Sequence, residues 1–347
     1  MRSVYIGLVG CGEVAHAHVK ALKKIKQAEI IAVADIIKKR AMEFARLYNI
    51  NNYYESLTDM LRAEERIDAV YILTNPQSHA KLAIEAMKAG KHVLVEKPLC
   101  VTLREMDEMV ETARNTKVIL FPIEQFLFTP AIQNAISHIS SGRTGEVLEI
   151  YTYASISPLV ERLKKGELPG WIHSLPGGIY GEEISHSLYT TLKILNEDIE
   201  EVHVSCVGRR NSNALPFDEL RILLEGGGKS ARIIITARPQ VRHTLLTMVI
   251  NCEKCSIIVD PPLSLTLVRN YALSRSSQAR AFIKNLLSNV YSNIIGVISS
   301  RIYQGCSWEV ASRAFIETIL EKVNPPITLK EVREWIKITE LIWQKSI

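Results

Sequence analysis

Residues 4–15 read Val4-Tyr5-Ile6-Gly7-Leu8-Val9-Gly10-Cys11-Gly12-Glu13-Val14-Ala15, and this stretch decides the fold. A short apolar run, Val4–Val9, enters a turn carrying two glycines. A helical pattern over Glu13–Lys26 follows directly. Gly10 permits the tight turn, Gly12 lets backbone approach a bound group, and the small Ala15 lets helix and strand pack closely. The first N–H groups of such a helix point at open space, and the helix dipole favours anions there. The same residues, with Arg2 before them and Ala15-His16-Ala17 behind, mimic a secretory leader and its small-residue cleavage site. The strand reading is preferred, because the alternation it starts runs on for a third of the chain.

Working outward, apolar β-rich runs recur at Glu29–Ala34, Ile67–Leu73, His92–Val95 and Val118–Phe121. Helical patterns at Ile37–Leu47, Ser78–Lys88 and Leu103–Arg114 separate them, with Gly90 as a C-cap and Thr102 and Glu105 as a capping box. Strands that are apolar throughout, alternating with helices, predict a parallel sheet covered on both faces. The pattern then changes. Thr129-Pro130 opens a helix that Gly142 closes. Strands are predicted at Val147–Ala154, Val202–Val207, Leu220–Glu225, Ala231–Ala237, Leu245–Asn251, Ser256–Asp260 and Leu263–Val268, with a helix at Gly181–Leu195. Gly226-Gly227-Gly228 and Glu253-Lys254 read as hairpin turns. The expectation is an α/β domain over 1–122 and an α+β domain with a large, mostly antiparallel sheet over 123–347.

Composition sets outer limits. The chain has 347 residues, 47% of them hydrophobic, and a formal net charge of +5. That balance is too small and too spread to predict nucleic-acid binding. The chain contains no run of 18 uncharged apolar residues, which argues against a membrane span. Six cysteines in a chain of this length do not make a disulfide scaffold, so the cytoplasm is the default compartment. Cys252-Glu253-Lys254-Cys255 is a lone C-x-x-C, and a structural zinc needs four ligands, so no metal site is expected. Residues 261–308 lack acidic groups but carry Arg269, Arg275, Arg280, Lys284 and Arg301. The apolar positions Ile283, Leu286, Leu287, Val290, Ile294, Val297 and Ile298 have helical spacing, for packing on the protein's own domain or a second subunit, or else on a membrane surface.

The chemistry-bearing residues sit at strand ends. Gly10-Cys11-Gly12-Glu13-Val14-Ala15 is a G-x-G-x-x-A turn, and Asp35 ends the next strand 20 residues after Ala15. A carboxylate there accepts hydrogen bonds from ribose hydroxyls and repels a 2′-phosphate. The reading is a dinucleotide site that favours NAD, with Lys38, Lys39 and Arg40 leaving NADP possible. Thr74 and Asn75 follow one strand, and Glu96-Lys97-Pro98 follows another. Ligands of open α/β sheets bind beyond such carboxyl ends.

On Gly10–Ala15, Asp35, Thr74-Asn75 with His79, the run Gly90–Pro98, and Gly177-Gly178 followed by Glu182 and His186, the chain resembles the glucose–fructose oxidoreductase / inositol dehydrogenase / MocA family. That resemblance implies a Rossmann domain followed by an open-sheet domain. It also implies hydride transfer between NAD(P) and a sugar or polyol, and a homodimer or homotetramer formed through the exposed face of the second sheet. Glu96 would hold the nicotinamide ribose, Lys97 would reach cofactor and substrate, and the Lys97–Pro98 bond would be cis. Three positions depart from the family pattern. Glu182 stands for the usual Asp, Leu127 for a common Arg, and Gln125, beside Glu124, for a common Asn that contacts the nicotinamide end.

The residue types fit the reaction. Hydride removal from a carbinol requires loss of the hydroxyl proton, and a histidine with an ordinary pKa of about 6.5 accepts it at neutral pH. His186 is the expected base, Lys97 the electrostatic partner, and Glu182, on the same helix face, the orienting or substrate-binding carboxylate. Trp171 and His173 lie in the loop entering that helix, where an aromatic can stack on a sugar's C–H face. Two other readings share the fold: a non-catalytic dinucleotide-binding regulator, and a reductase of a non-sugar carbonyl or imine.

Overall fold

The computed structural model describes residues 2–238, 246–271, 305–321 and 323–346, with isolated positions between 274 and 287. The basic segment near 275–301 therefore lies mostly outside the described residues.

The first elements are β1 (Val4–Val9), α1 (Glu13–Leu22), β2 (Ala28–Ala34), α2 (Lys38–Tyr48), β3 (Asn52–Tyr54), α3 (Leu57–Ala63), β4 (Ala69–Ile72), α4 (Pro76–Lys88), β5 (His92–Val95), α5 (Leu103–Thr116) and β6 (Leu120–Pro122). Their strands form a six-stranded sheet in the order β3-β2-β1-β4-β5-β6. Every pairing in it is parallel. This is the doubly wound dinucleotide-binding order. All four residues of β4 are buried, as expected of a strand covered on both faces. The Thr102–Glu105 capping box is present. The sequence reading passed over β3 and α3. Their signal was Ser56, whose hydroxyl accepts the Asp59 N–H at 3.0 Å and caps α3.

The chain continues through α6 (Pro130–Ser140), β7 (Val147–Ser155), α7 (Ser157–Lys164), α8 (Ile179–Leu195), β8 (Glu201–Val207), β9 (Glu219–Gly226), β10 (Lys229–Thr236), β11 (Leu246–Cys252), β12 (Cys255–Asp260) and β13 (Leu265–Asn270). Two further helices follow, α9 (Gly305–Glu321) and α10 (Leu329–Ser346). The strands form a seven-stranded sheet in the order β13-β12-β11-β7-β10-β9-β8. Its pairs are antiparallel except β7 with β10. Both hairpins fall where turn chemistry put them. Gly227 and Gly228 have φ of +57° and +76°, the sign a tight two-residue turn needs. Helices α6 and α8 pack on one face of this sheet.

The expected division at residue 122 needs correction. One compact unit comprises Met1–Gln125 with Gly305–Lys337, and the other Phe126–Gln304 with Ile338–Ile347. Helix α9 packs against α1. Its Phe315, fully buried, meets Tyr71 at 5.6 Å and Phe121 at 5.2 Å between ring centroids. Burying a Phe stabilises by about 1.5–3 kcal/mol, and edge-on aromatic pairs add to that. Arg333 of α10 donates to both carboxylate oxygens of Asp107, at 2.7 and 3.1 Å.

Candidate active site

In the first unit the glycine turn has the shape a diphosphate needs. Gly10 has φ +96°, and a Cβ there would stand 2.6 Å from the Leu73 carbonyl oxygen. Around a Cβ at Gly12 there is open space, with no atom within 4 Å. Gly12 caps α1 without any side-chain hydrogen bond. An uncovered helix start above an unobstructed glycine fits an anionic dinucleotide backbone. Ala15 is fully buried against the sheet, as its small size requires, while Glu13 and Val14 start the helix. Cys11 packs inward. Burial, then the Asp35 charge, pushes its thiol up to about 12, so it stays protonated and unreactive.

Asp35 is only 6% exposed. It accepts the Cys11 N–H and the Ile37 N–H, each at 2.9 Å, and the Arg40 guanidinium lies 3.5 Å away. The carboxylate thus braces the glycine turn as well as standing at the end of β2.

The loops after β4 and β5 are tied together. His79 lies in α4 and is fully buried, with Nδ1 2.9 Å from the Pro98 carbonyl oxygen and Nε2 3.1 Å from that of Thr74. Burial pushes its imidazole down from the ordinary range. The Thr74 and Ser78 hydroxyls bond at 2.7 Å, and Asn75 begins α4. The Lys97–Pro98 bond is cis, as the resemblance implies, and Lys97 is half-buried.

Glu96 departs from expectation. Its carboxylate is 4% exposed and turns inward. Oε1 lies 2.8 Å from His18 Nε2 and 3.1 Å from Trp308 Nε1, and Oε2 accepts the Lys97 N–H at 2.9 Å. Both oxygens of Glu96 are thus engaged within the protein, which gives this carboxylate an anchoring task that its motif did not announce. Gln125, also buried, lies in the single turn of 3-10 helix that follows β6.

In the second unit, His186 sits on α8, 8% exposed, with its ring 4.6 Å from that of Phe126. A carboxylate beside it belongs to Glu183, whose Oε2 is 4.0 Å from His186 Nε2. The sequence reading preferred Glu182, one position earlier, which is half-buried on the same helix. Spacings of three and four both place residues on one helix face, so sequence cannot choose between them. The start of α8 is fixed by Gly177 and Gly178. Gly178 has φ +58° and ψ −124°, a conformation that suits glycine. A Cβ on Gly177 would run into the Trp343 ring. Trp171, half-buried, and His173, exposed, lie in a short turn of helix packed against α8.

Outside these two sites, three exposed groups of the second unit, Glu201, His203 and Glu225, have their potential ligand atoms within 4.8 Å of one another. Glu201 and Glu225 are cross-strand partners. His203 lies between them, 3.0 and 3.6 Å from their carboxylates. Cys252 and Cys255 are buried thiols flanking their hairpin turn. Among the described residues no helix is long and apolar enough to cross a membrane.

Comparison with known proteins agrees with this geometry. The family model for the GFO_IDH_MocA oxidoreductases, described as an oxidoreductase family with an NAD-binding Rossmann fold, matches residues 4–123. Myo-inositol 2-dehydrogenase of Thermotoga maritima is 27% identical over 199 residues, 57% of this chain and 56% of the relative, so the match spans about half of that protein. Glucose-6-phosphate 3-dehydrogenase of Bacillus subtilis is 29% identical over 264 residues, 76% of this chain and 71% of the relative. The solved structure of a levoglucosan dehydrogenase in complex with NADH superposes with a TM-score of 0.82 at 16% identity, covering 99% of this chain and 98% of that one, which shows a shared fold. Over residues 4–123, which carry the glycine turn, Asp35 and the Lys97-Pro98 turn, the chain matches the GFO_IDH_MocA oxidoreductases with their NAD-binding Rossmann fold.

Proposed function

We propose that the protein transfers a hydride between NAD and a hydroxyl-bearing carbon of a sugar or polyol, free, phosphorylated or nucleotide-linked. The observation that carries this reading is a half-buried lysine just beyond the carboxyl end of β5, in a unit that matches the NAD-binding Rossmann fold of this family. Relatives named for inositol and for glucose 6-phosphate support the substrate class. Gly10 to Ala15 with Asp35, Thr74, Asn75 and Gln125 form the cofactor side. Bound NAD supplies the hydride acceptor. His186 takes the hydroxyl proton, and Glu183 keeps its imidazole oriented. The Lys97 ammonium offsets the charge that develops on the substrate oxygen, where a fixed cation is worth far more than one in water. Glu182, Trp171 and His173 contact the substrate. A second copy of the chain covers the open face of the seven-stranded sheet, giving a homodimer or homotetramer, and the protein works in the cytoplasm.

The test is a panel of sugars, polyols and their phosphates incubated with NAD, following absorbance of NADH. Turnover with at least one member is expected. Lys97→Ala and His186→Ala should each lower kcat/KM by roughly 10²–10⁴-fold. Variants that turn over like the wild type would overturn the assignment. A wild type inert across the panel that still binds NADH would favour the regulatory reading.

A further inference from the structure

The reaction above does not use His18 or Trp308, yet both are spent on one carboxylate. His18 is fully buried on α1. Its ring meets Tyr71 and Trp308 edge-on, at 5.6 and 6.3 Å between centroids. Its Nε2 faces Glu96 Oε1 at 2.8 Å, and its Nδ1 is buried without a hydrogen-bond partner. Trp308 comes from α9, 212 residues further along the chain, and donates its indole N–H to the same oxygen. A carboxylate taken out of water is stable only when its lone pairs are filled. Here three N–H donors converge, from α1, from α9 and from the Lys97 peptide. The Glu96 backbone runs directly into Lys97, and His79 holds the far side of the same turn through Pro98. An acid gripped at this point therefore sets where the Lys97 peptide lies.

We propose that His18 and Trp308 are positioning residues of the cofactor site, gripping the Glu96 carboxylate so that the Glu96-Lys97-Pro98 turn is preset to receive the dinucleotide. The inference rests on the oxidoreductase reading, because it assumes that this turn faces NAD. It makes α9 a part of the cofactor site, although the glycine turn, Asp35 and the strand ends all lie within the first 125 residues.

The titration of Glu96 provides a signature that simple packing lacks. Burial alone would push its carboxyl up. The His18 hydrogen bond and charge, then the Lys97 N–H and ammonium, outweigh that and hold it at about 2, against an ordinary 4.5. His79 is the other titratable group that senses it. A carboxyl held low is ionised at any pH well above its folded value, and its contribution fades only as pH falls toward that value. Removing a donor moves the folded value upward, so the loss sets in at higher pH.

NADH binding to the full-length protein, read from cofactor fluorescence across pH, tests this alongside thermal unfolding. Trp308→Phe keeps the ring and removes the N–H. His18→Leu removes the second donor, and His18→Gln restores one. Trp308→Phe and His18→Leu are expected to weaken NADH binding by roughly tenfold or more, tenfold being about 1.4 kcal/mol. Both should move the acid limb of binding upward, and His18→Gln should recover most of the affinity. Wild-type affinity and acid limb in Trp308→Phe and His18→Leu, with at most a lower unfolding temperature, would overturn the proposal alone. A wild-type protein that fails to bind NADH would overturn the dinucleotide reading and this inference with it.

Discussion

At the scale of single residues, the roles readable in sequence are those that follow from side-chain chemistry at a fixed point of a motif. Asp35 is such a case, and the structure adds a second task. Because it accepts the Cys11 N–H and faces Arg40, its removal both loosens the glycine turn and releases a guanidinium. Asp35→Ala is therefore expected to raise NADPH affinity relative to NADH by about tenfold or more, since a 2′-phosphate no longer meets a carboxylate. It should also lower stability by roughly 1–3 kcal/mol through the N–H groups left unmet. Paired titrations with NADH and NADPH measure the ratio, and an unchanged ratio would remove Asp35 from cofactor choice. Glu96 is the opposite case. Its motif pointed to a ribose contact, and only the coordinates bring His18 and Trp308 onto it.

At the scale of elements, two glycines separate binding from folding. Gly12 has φ −80°, which alanine adopts freely, and a Cβ there meets nothing. Gly177 has φ +73° and lies against the Trp343 ring. Gly12→Ala is expected to unfold in urea like the wild type while losing most of its NADH affinity. Gly177→Ala is expected to lose roughly 2–4 kcal/mol of stability, from left-handed backbone strain and overpacking together. Urea titration of both, with NADH binding of the first, checks the pair. A Gly12→Ala protein with wild-type affinity would mean that no diphosphate crosses that glycine. The elements themselves were legible where local signals are strong: apolar strands, the Thr102–Glu105 box, the Gly227-Gly228 turn. They were missed where strands are very short, as in β3, or where the apolar pattern had no stated partner, as in α9 and α10.

At the scale of the whole molecule, the seven-stranded sheet leaves one face open among the described residues. Tyr151 and Ile258 lie on its outward row, 42% and 37% exposed, with Val249 between them in register. Arg232 lies over the Tyr151 ring and pairs with Glu149. Contiguous apolar and aromatic surface of this kind is what an interface buries. If a second copy covers this face, as proposed, the wild type sediments as an oligomer in analytical ultracentrifugation and Tyr151→Glu combined with Ile258→Glu sediments as a monomer. A wild type already monomeric at micromolar concentration would reject this face as an interface.

The sequence by itself determined the parallel dinucleotide-binding layer, the glycine turn, the Lys97 turn and the histidine-bearing helix. Each is written in a repeat of two or 3.6 residues, or in turn chemistry a few residues long, and such signals are local. Only the tertiary structure decided that α9 returns to the first unit, that Phe315 fills its core, that Trp308 reaches Glu96, and that Glu183 comes within 4.0 Å of His186. Hydrophobic burial is non-directional: an apolar helix face states that it will be covered, and shape and hydrogen-bonding fit across hundreds of residues choose what covers it.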